Sequence, residues 1–148
     1  MARFFDIDAA NETVPELRTI LETLRDERTQ LIGLRDEFTR RAALETAPGD
    51  AGAGRTAEEA ARTRQDAAER RRLRLRMQGV IDQMQAGVAR IDELGITLRE
   101  IETGLVDFPA LVNGRQVWLC WRLGEGDVEW WHELSDGFGG RRPLIELA

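Results

Sequence analysis

The sequence predicts an α+β protein, a long antiparallel helical hairpin with a coiled-coil-like seam followed by a small C-terminal three-stranded antiparallel β-meander. Three observations predict it. Apolar residues recur every three to four positions over the first two thirds of the chain, a glycine-rich break divides that stretch into two arms, and after Gly95 the period becomes that of strands. All 148 residues read as a single domain: the hairpin over 6–94 with a flexible turn near 45–55, then the meander and tail over 95–148.

The first arm offers two starting points. Asp6 is an N-cap for Ile7 onward, and Thr13-Val14-Pro15-Glu16 is a second start signal, with proline in the first turn and a capping carboxylate after it. Either a fresh helix begins at Thr13 or one helix passes through Pro15 with a kink. Val14, Leu17, Leu21, Leu24, Leu31, Leu34 and Phe38 form its seam, with Arg28 in one apolar slot. Pro48–Gly54 is the connector. Thr56-Ala57-Glu58-Glu59 is a capping box that starts the second arm, whose seam runs from Ala57, Ala60, Ala61, Ala67 and Ala68 to Leu73, Met77, Ile81, Met84, Val88, Ile91 and Leu94. Gly95 supplies a left-handed stop with Ile96 folding back on Ile91. At 1.5 Å per residue this arm spans roughly 55–60 Å.

Asn113-Gly114 is a type I′ hairpin signal between Leu105–Val112 and Arg115–Leu123. A second turn at Gly124–Asp127 leads into Val128–Glu133, and the tail from Asp136 to Pro143 reads as loop. The first turn sets the register, pairing Val112 with Arg115, Ala110 with Val117, Phe108 with Leu119 and Val106 with Trp121. One face then carries Val106, Phe108, Val117, Leu119, Trp121, Leu123 and Trp131 and is expected to cover one end of the hairpin. The other collects Asp107, Cys120 and His132, with Trp118, Trp130 and Arg122 around them, if the second loop holds three residues and Pro109 makes no bulge.

Composition limits the function classes. Net charge is −6, which argues against a general nucleic-acid binder and against attachment to anionic lipid. Every basic residue apart from His132 is arginine, read as codon bias in a bacterial genome. One cysteine allows no internal disulfide, the N-terminus turns acidic before a signal core forms, and no apolar run approaches the ~20 residues of a membrane span. The expectation is a soluble cytoplasmic protein.

Asp107, Cys120 and His132 in contact are the parts of a thiol nucleophile with its base and orienting carboxylate, or three ligands for zinc. The plainer reading is a buried small hydrophobe beside a satisfied polar pair, and no catalytic or metal role is assigned on sequence grounds. Trp118, Arg122, Trp130 and Arg141 are the candidates for a ligand or partner contact, the tryptophans as a cation cage and Arg141 in a glycine-rich anion wrap. Packing and a loose tail are the plainer readings. The arginine run from Arg62 to Arg76 could be a phosphate- or nucleic-acid-contacting stripe, and the plainer reading, favoured by the negative net charge, is charge matching across the hairpin with Arg70–Arg76 opposite Arg25–Leu31. Gly49–Gly54 lacks the Gly-Lys-Ser/Thr of a phosphate loop.

Four phrases carry a resemblance: Gly104-Leu105-Val106-Asp107-Phe108-Pro109-Ala110, Leu119-Cys120-Trp121-Arg122-Leu123-Gly124-Glu125, Trp131-His132-Glu133 and Gly137-Phe138-Gly139-Gly140-Arg141. With Arg3-Phe4-Phe5 and the charged helices, the whole chain resembles the bacterial domain-of-unknown-function family 2203. Gly126 stands where that family often has proline, and Arg142 where a polar residue commonly precedes Pro143. The resemblance implies the fold and a cytoplasmic setting, and no activity. The function expected is a non-enzymatic helical-hairpin interaction or scaffold protein. It is expected to form a homodimer through the helices, because Ile20, Ile32, Leu75 and Val80 lie off or at the edge of the seam. The alternative is a small metal-binding or thiol-dependent enzyme.

Overall fold

The computed structural model describes residues 3–46 and 56–147, so the predicted turn over Pro48–Gly54 lies outside the described residues. Helix α1 spans Ile7–Thr46. Asp6 caps it, its Oδ1 accepting the Ala9 amide at 2.7 Å, so the earlier start holds and one helix passes through Pro15. Helix α2 spans Ala57–Glu93. Its capping box is reciprocal: the Glu59 amide donates to Thr56 Oγ1 at 3.1 Å, and the Thr56 amide donates to Glu59 Oε2 at 3.2 Å. It ends in a Schellman motif, with Gly95 at φ +82°, Gly95 N–H on the Asp92 carbonyl and Ile96 N–H on the Ile91 carbonyl.

The sheet is an antiparallel meander of five strands in sequence order: β1 (Thr97–Glu100), β2 (Leu105–Val112), β3 (Arg115–Arg122), β4 (Trp130–His132) and β5 (Arg142–Pro143). The three expected strands are its centre, and β1 and β5 extend it on both sides. β1 has a single strongly apolar residue, Leu98, and an irregular register between Leu98 and Glu100, so it leaves no alternation to read. β5 lies in the tail read as loop, and its Pro143 sits where an edge strand tolerates a missing donor.

Asn113 at φ 53° and Gly114 at φ 77° make the type I′ turn, and β2 pairs with β3 in the predicted register without a bulge at Pro109. Pro109 lies past the end of β1, and its carbonyl accepts the Phe5 amide at 2.7 Å. The second connection is longer than the three residues expected, because the segment after Leu123 makes contacts of its own. Trp121 Nε1 donates to the Gly126 carbonyl, and the Val128 amide donates to Asn11 Oδ1 on α1, seating Val128 in the core. The β3–β4 register therefore moves by two residues, placing Trp118 opposite His132 and Cys120 opposite Trp130. A shift of two preserves the faces.

The chain divides into two units, one formed by the chain up to Arg28 with everything from Met84 onward, the other by Thr29–Gln83. In the first, the apolar sheet face closes on Phe5, Ala10, Val14, Leu17, Leu21 and Leu24 of the N-terminal segment and α1, with Ile91 and Ile96. Phe5 meets Phe108 edge-on at 5.1 Å. Gly87 lets Leu24 approach α2, and Arg90 pairs with Glu16 at 2.7 Å. In the second unit Leu34, Leu73 and Val80 are buried, and the Arg74 guanidinium lies 5.6 Å from the Phe38 ring centre. Arg74 thus meets Phe38, whereas the charge-matching register set it opposite Glu27. The buried face of α2 runs through Val80 and Gly87, and Val88 is 37% exposed. Gly87 has no side chain to count, which is why its position in the seam was invisible.

Candidate metal centre

β2, β3 and β4 each contribute one side chain to the face turned away from the core. Asp107, Cys120 and His132 come together as the alternation predicted, all three buried, their ligand atoms within 4.8 Å of one another. Each strand alternates, so these residues share a face while their neighbours Phe108, Leu119 and Trp131 anchor the other.

The imidazole is held from both sides. His132 Nδ1 lies 2.8 Å from the Glu133 carbonyl oxygen, which can only accept, so Nδ1 carries the hydrogen. His132 Nε2 lies 2.9 Å from Asp107 Oδ1, and Arg99 Nε donates to Asp107 Oδ2 at 2.8 Å. Arg99 fits the carboxylate form of Asp107. A neutral ring would then set a lone pair against a carboxylate oxygen, so at 2.9 Å a proton belongs between them, and a metal ion would take that place only with the two atoms moved apart.

Cys120 is shaped by burial. Desolvation, with the Asp107 charge added, pushes its thiol from 9.0 up to about 11, although the Arg141 guanidinium opposes this. Burial would raise the Glu125 carboxyl too, but the two Arg141 hydrogen bonds and the Arg122 amide outweigh it and hold that group below the usual carboxylate range. Arg141 grips Glu125 at 3.0 and 2.8 Å, and that hydrogen-bonded pairing raises its own pKa.

Over residues 3–144 the chain matches a family described as an uncharacterized conserved protein (DUF2203). It belongs to that family. No curated protein and no solved structure gives a match. Among the described residues of this DUF2203 member, no helix is long and apolar enough to cross a membrane.

The other sequence candidates fall into place around the cluster. Trp118 and Trp130 share its face, yet each already carries one of the chain's own arginines: Arg99 lies 5.0 Å from the Trp118 ring centre and Arg141 4.5 Å from Trp130. Trp121 and Trp131 are likewise paired, with Arg18 and Arg142. A cage for an outside cation therefore finds its ring faces taken, and these tryptophans are packing surfaces. Arg122 stacks on Phe138 at 5.0 Å, and Arg141 does so at 4.3 Å, so the glycine-rich tail is tied down by arginine. The sequence reading missed Arg99, Glu125 and Phe138. Arg99 sits on the unread strand β1, and Glu125 was read only as a turn residue.

The arrangement suits a metal better than a nucleophile. A thiol nucleophile needs a ring nitrogen to take its proton, and here both nitrogens have other partners. One sulfur, one nitrogen and one oxygen suit zinc. In a tetrahedral zinc site such donors lie about 3.3–3.8 Å apart, so the longest separations must close by about 1 Å while Nε2 and Oδ1, 2.9 Å apart here, must open by about 0.5 Å. The Nδ1–H to carbonyl bond is the support a ligating histidine ordinarily has, and Arg99 orients the carboxylate. Asp107 also lines a pocket of about 280 Å³, which places a solvent-reachable space beside the cluster.

Proposed function

We propose that this protein is a non-enzymatic metal-binding interaction protein, its sheet-bearing unit holding one zinc-class divalent ion between Asp107, Cys120 and His132. The carrying observation is the histidine: Nδ1 is committed to the Glu133 carbonyl, while Nε2 faces a carboxylate oxygen with a cysteine sulfur in the same cluster. The free thiol suits a reducing compartment such as the cytoplasm. Binding must release the Cys120 proton, so affinity falls as pH falls. The test is elemental analysis of tag-free protein purified in the presence of zinc, with chelator competition. Near-stoichiometric zinc that His132→Ala and Cys120→Ala both abolish is the expected result. Natively folded protein that retains no zinc and cannot compete with a micromolar-affinity chelator would sink the reading and leave a proton as the cation between Asp107 and His132.

The helices support a second reading, self-association into a homodimer. Leu75 is 74% exposed on the side of α2 away from Leu73 and Val80, one turn from Gly79, where nothing lies within 4 Å of an added Cβ. Arg72 and Asp82 flank this spot on the same face, held only by a 3.9 Å contact to Glu69 and a hydrogen bond from Gln78. Two copies of α2 crossing antiparallel about residue 77 set Leu75 over Gly79 of the second copy and Arg72 beside its Asp82. The surface is thus self-complementary in shape and charge.

A further inference from the structure

The pocket lined by Asp107 holds two further charged groups, of opposite sign, that do not pair with each other. Arg99 and Asp136 both line it. Arg99 commits its Nε to Asp107, and its terminal nitrogens have no polar partner among the described residues. The Asp136 carboxylate, half-buried, has no hydrogen-bond or ion-pair partner there either. Gly140 makes room for it, since a Cβ at that position would lie 2.9 Å from Asp136 Cβ and 3.3 Å from Oδ2. Besides Asp107 and Gly137, the rest of the wall is apolar: Leu105, Phe138 and Leu134, whose 53% exposure is otherwise unexplained. At about 280 Å³ the space falls just under the ~300–1,000 Å³ of drug-sized sites, so it fits a small molecule.

We propose that this pocket binds a small zwitterion, an α-amino acid with an apolar side chain. Its carboxylate meets the free nitrogens of Arg99, its ammonium meets Asp136, and its side chain lies on Leu105, Leu134 and Phe138. An anion would face the Asp136 carboxylate as well as Asp107, and a cation would leave the terminal nitrogens of Arg99 without a partner, whereas a zwitterion meets Arg99 and Asp136 together. The inference stands on the pocket alone and does not require the metal.

The experiment is calorimetric titration of the full chain with L-leucine, L-leucine amide and isocaproate, in chelator-treated and zinc-loaded forms. The amide lacks the carboxylate and isocaproate lacks the amine. Leucine is expected to bind saturably, with each analogue weaker by about tenfold or more, the scale of one lost charged hydrogen bond. Asp136→Asn, a side chain with no partner to lose, should erase the preference for leucine over isocaproate while the far-ultraviolet spectrum stays native. Arg99→Gln should erase the preference over the amide. No saturable leucine binding at millimolar concentration, or equal binding of all three compounds, would overturn the proposal. Leucine binding in protein that takes up no zinc would support it and count only against the metal reading.

Discussion

In the sheet-bearing unit Trp121, Phe108, Val106 and Val117 are sealed completely, whereas among the described residues of Thr29–Gln83 only Leu34, Leu73 and Val80 are buried, each still 3–5% exposed. The difference is geometric. A two-helix hairpin shares one seam, so each helix hides one stripe and leaves the rest to water. A sheet closed on a helix hides a whole face of every strand, and chain distant in sequence is recruited to it, as the Val128 amide on Asn11 illustrates. Chemistry follows the same division. The buried polar cluster lies on the sheet, where neighbouring strands hold side chains at fixed spacing, while the helical unit offers exposed charge and two bare leucines, Leu44 and Leu75.

The largest effect expected from this contrast is in core truncation. Phe108→Ala should cost about 3–5 kcal/mol, since a fully sealed ring leaves a cavity that the sheet cannot collapse around. Leu73→Ala should cost about 2 kcal/mol, the low end for such a change, because two helices with one seam relax more readily. Urea unfolding of both variants reads the difference directly. Equal losses would mean that the two units are equally well sealed, and the comparison would fail.

The legibility of the two regions differs in the same way. Features set by local chemistry were readable: the Thr56–Glu59 box, the Gly95 stop, the Asn113-Gly114 turn and the apolar face that turn fixes. Features set by distant partners were not. The loop before β4 takes its length from Asn11 and the Trp121 indole, β1 exists because β2 offers it an edge, and the α2 seam passes through Gly87 because Leu24 leans on it. The cluster survived the misjudged loop only because the error was even, and an odd one would have sent His132 to the core side.

An intermediate effect is expected on the alkaline side. The Cys120 thiol is raised to about 11 in the folded chain, so the unfolded chain ionises first and ionisation favours unfolding. Its contribution is therefore complete below about pH 9 and lost as pH rises through 11, a loss of about 2–3 kcal/mol for two pKa units. Unfolding free energies of metal-free wild type and Cys120→Ala, compared across that window, should show the wild type falling more steeply. Parallel curves would show that the sulfur is better solvated than its burial implies.

The smallest effect is the sharpest test, because it opposes two glycines of one helix, one from each unit. At Gly79 an added Cβ meets nothing within 4 Å, so Gly79→Ala gains the helix propensity of alanine, about 1 kcal/mol, without a steric cost. At Gly87, itself half-buried, the same Cβ would lie 3.0 Å from Cδ2 and 3.2 Å from Cγ of the fully buried Leu24. Relieving that contact pushes Leu24 off its packing at about 1–3 kcal/mol, which offsets or exceeds the propensity gain, so Gly87→Ala should be neutral to destabilising by up to about 2 kcal/mol. At low protein concentration the midpoint of thermal unfolding should therefore rise in Gly79→Ala and stay level or fall in Gly87→Ala. Raising the concentration separates a further contribution: if Leu75 seats over Gly79 of a second copy, a methyl at Gly79 fills that seat. Gly79→Ala would then be the more stable monomer and the weaker dimer, as read by light scattering across the same range. A Gly79→Ala chain that associates as well as wild type would remove α2 from the interface while leaving its stability gain intact.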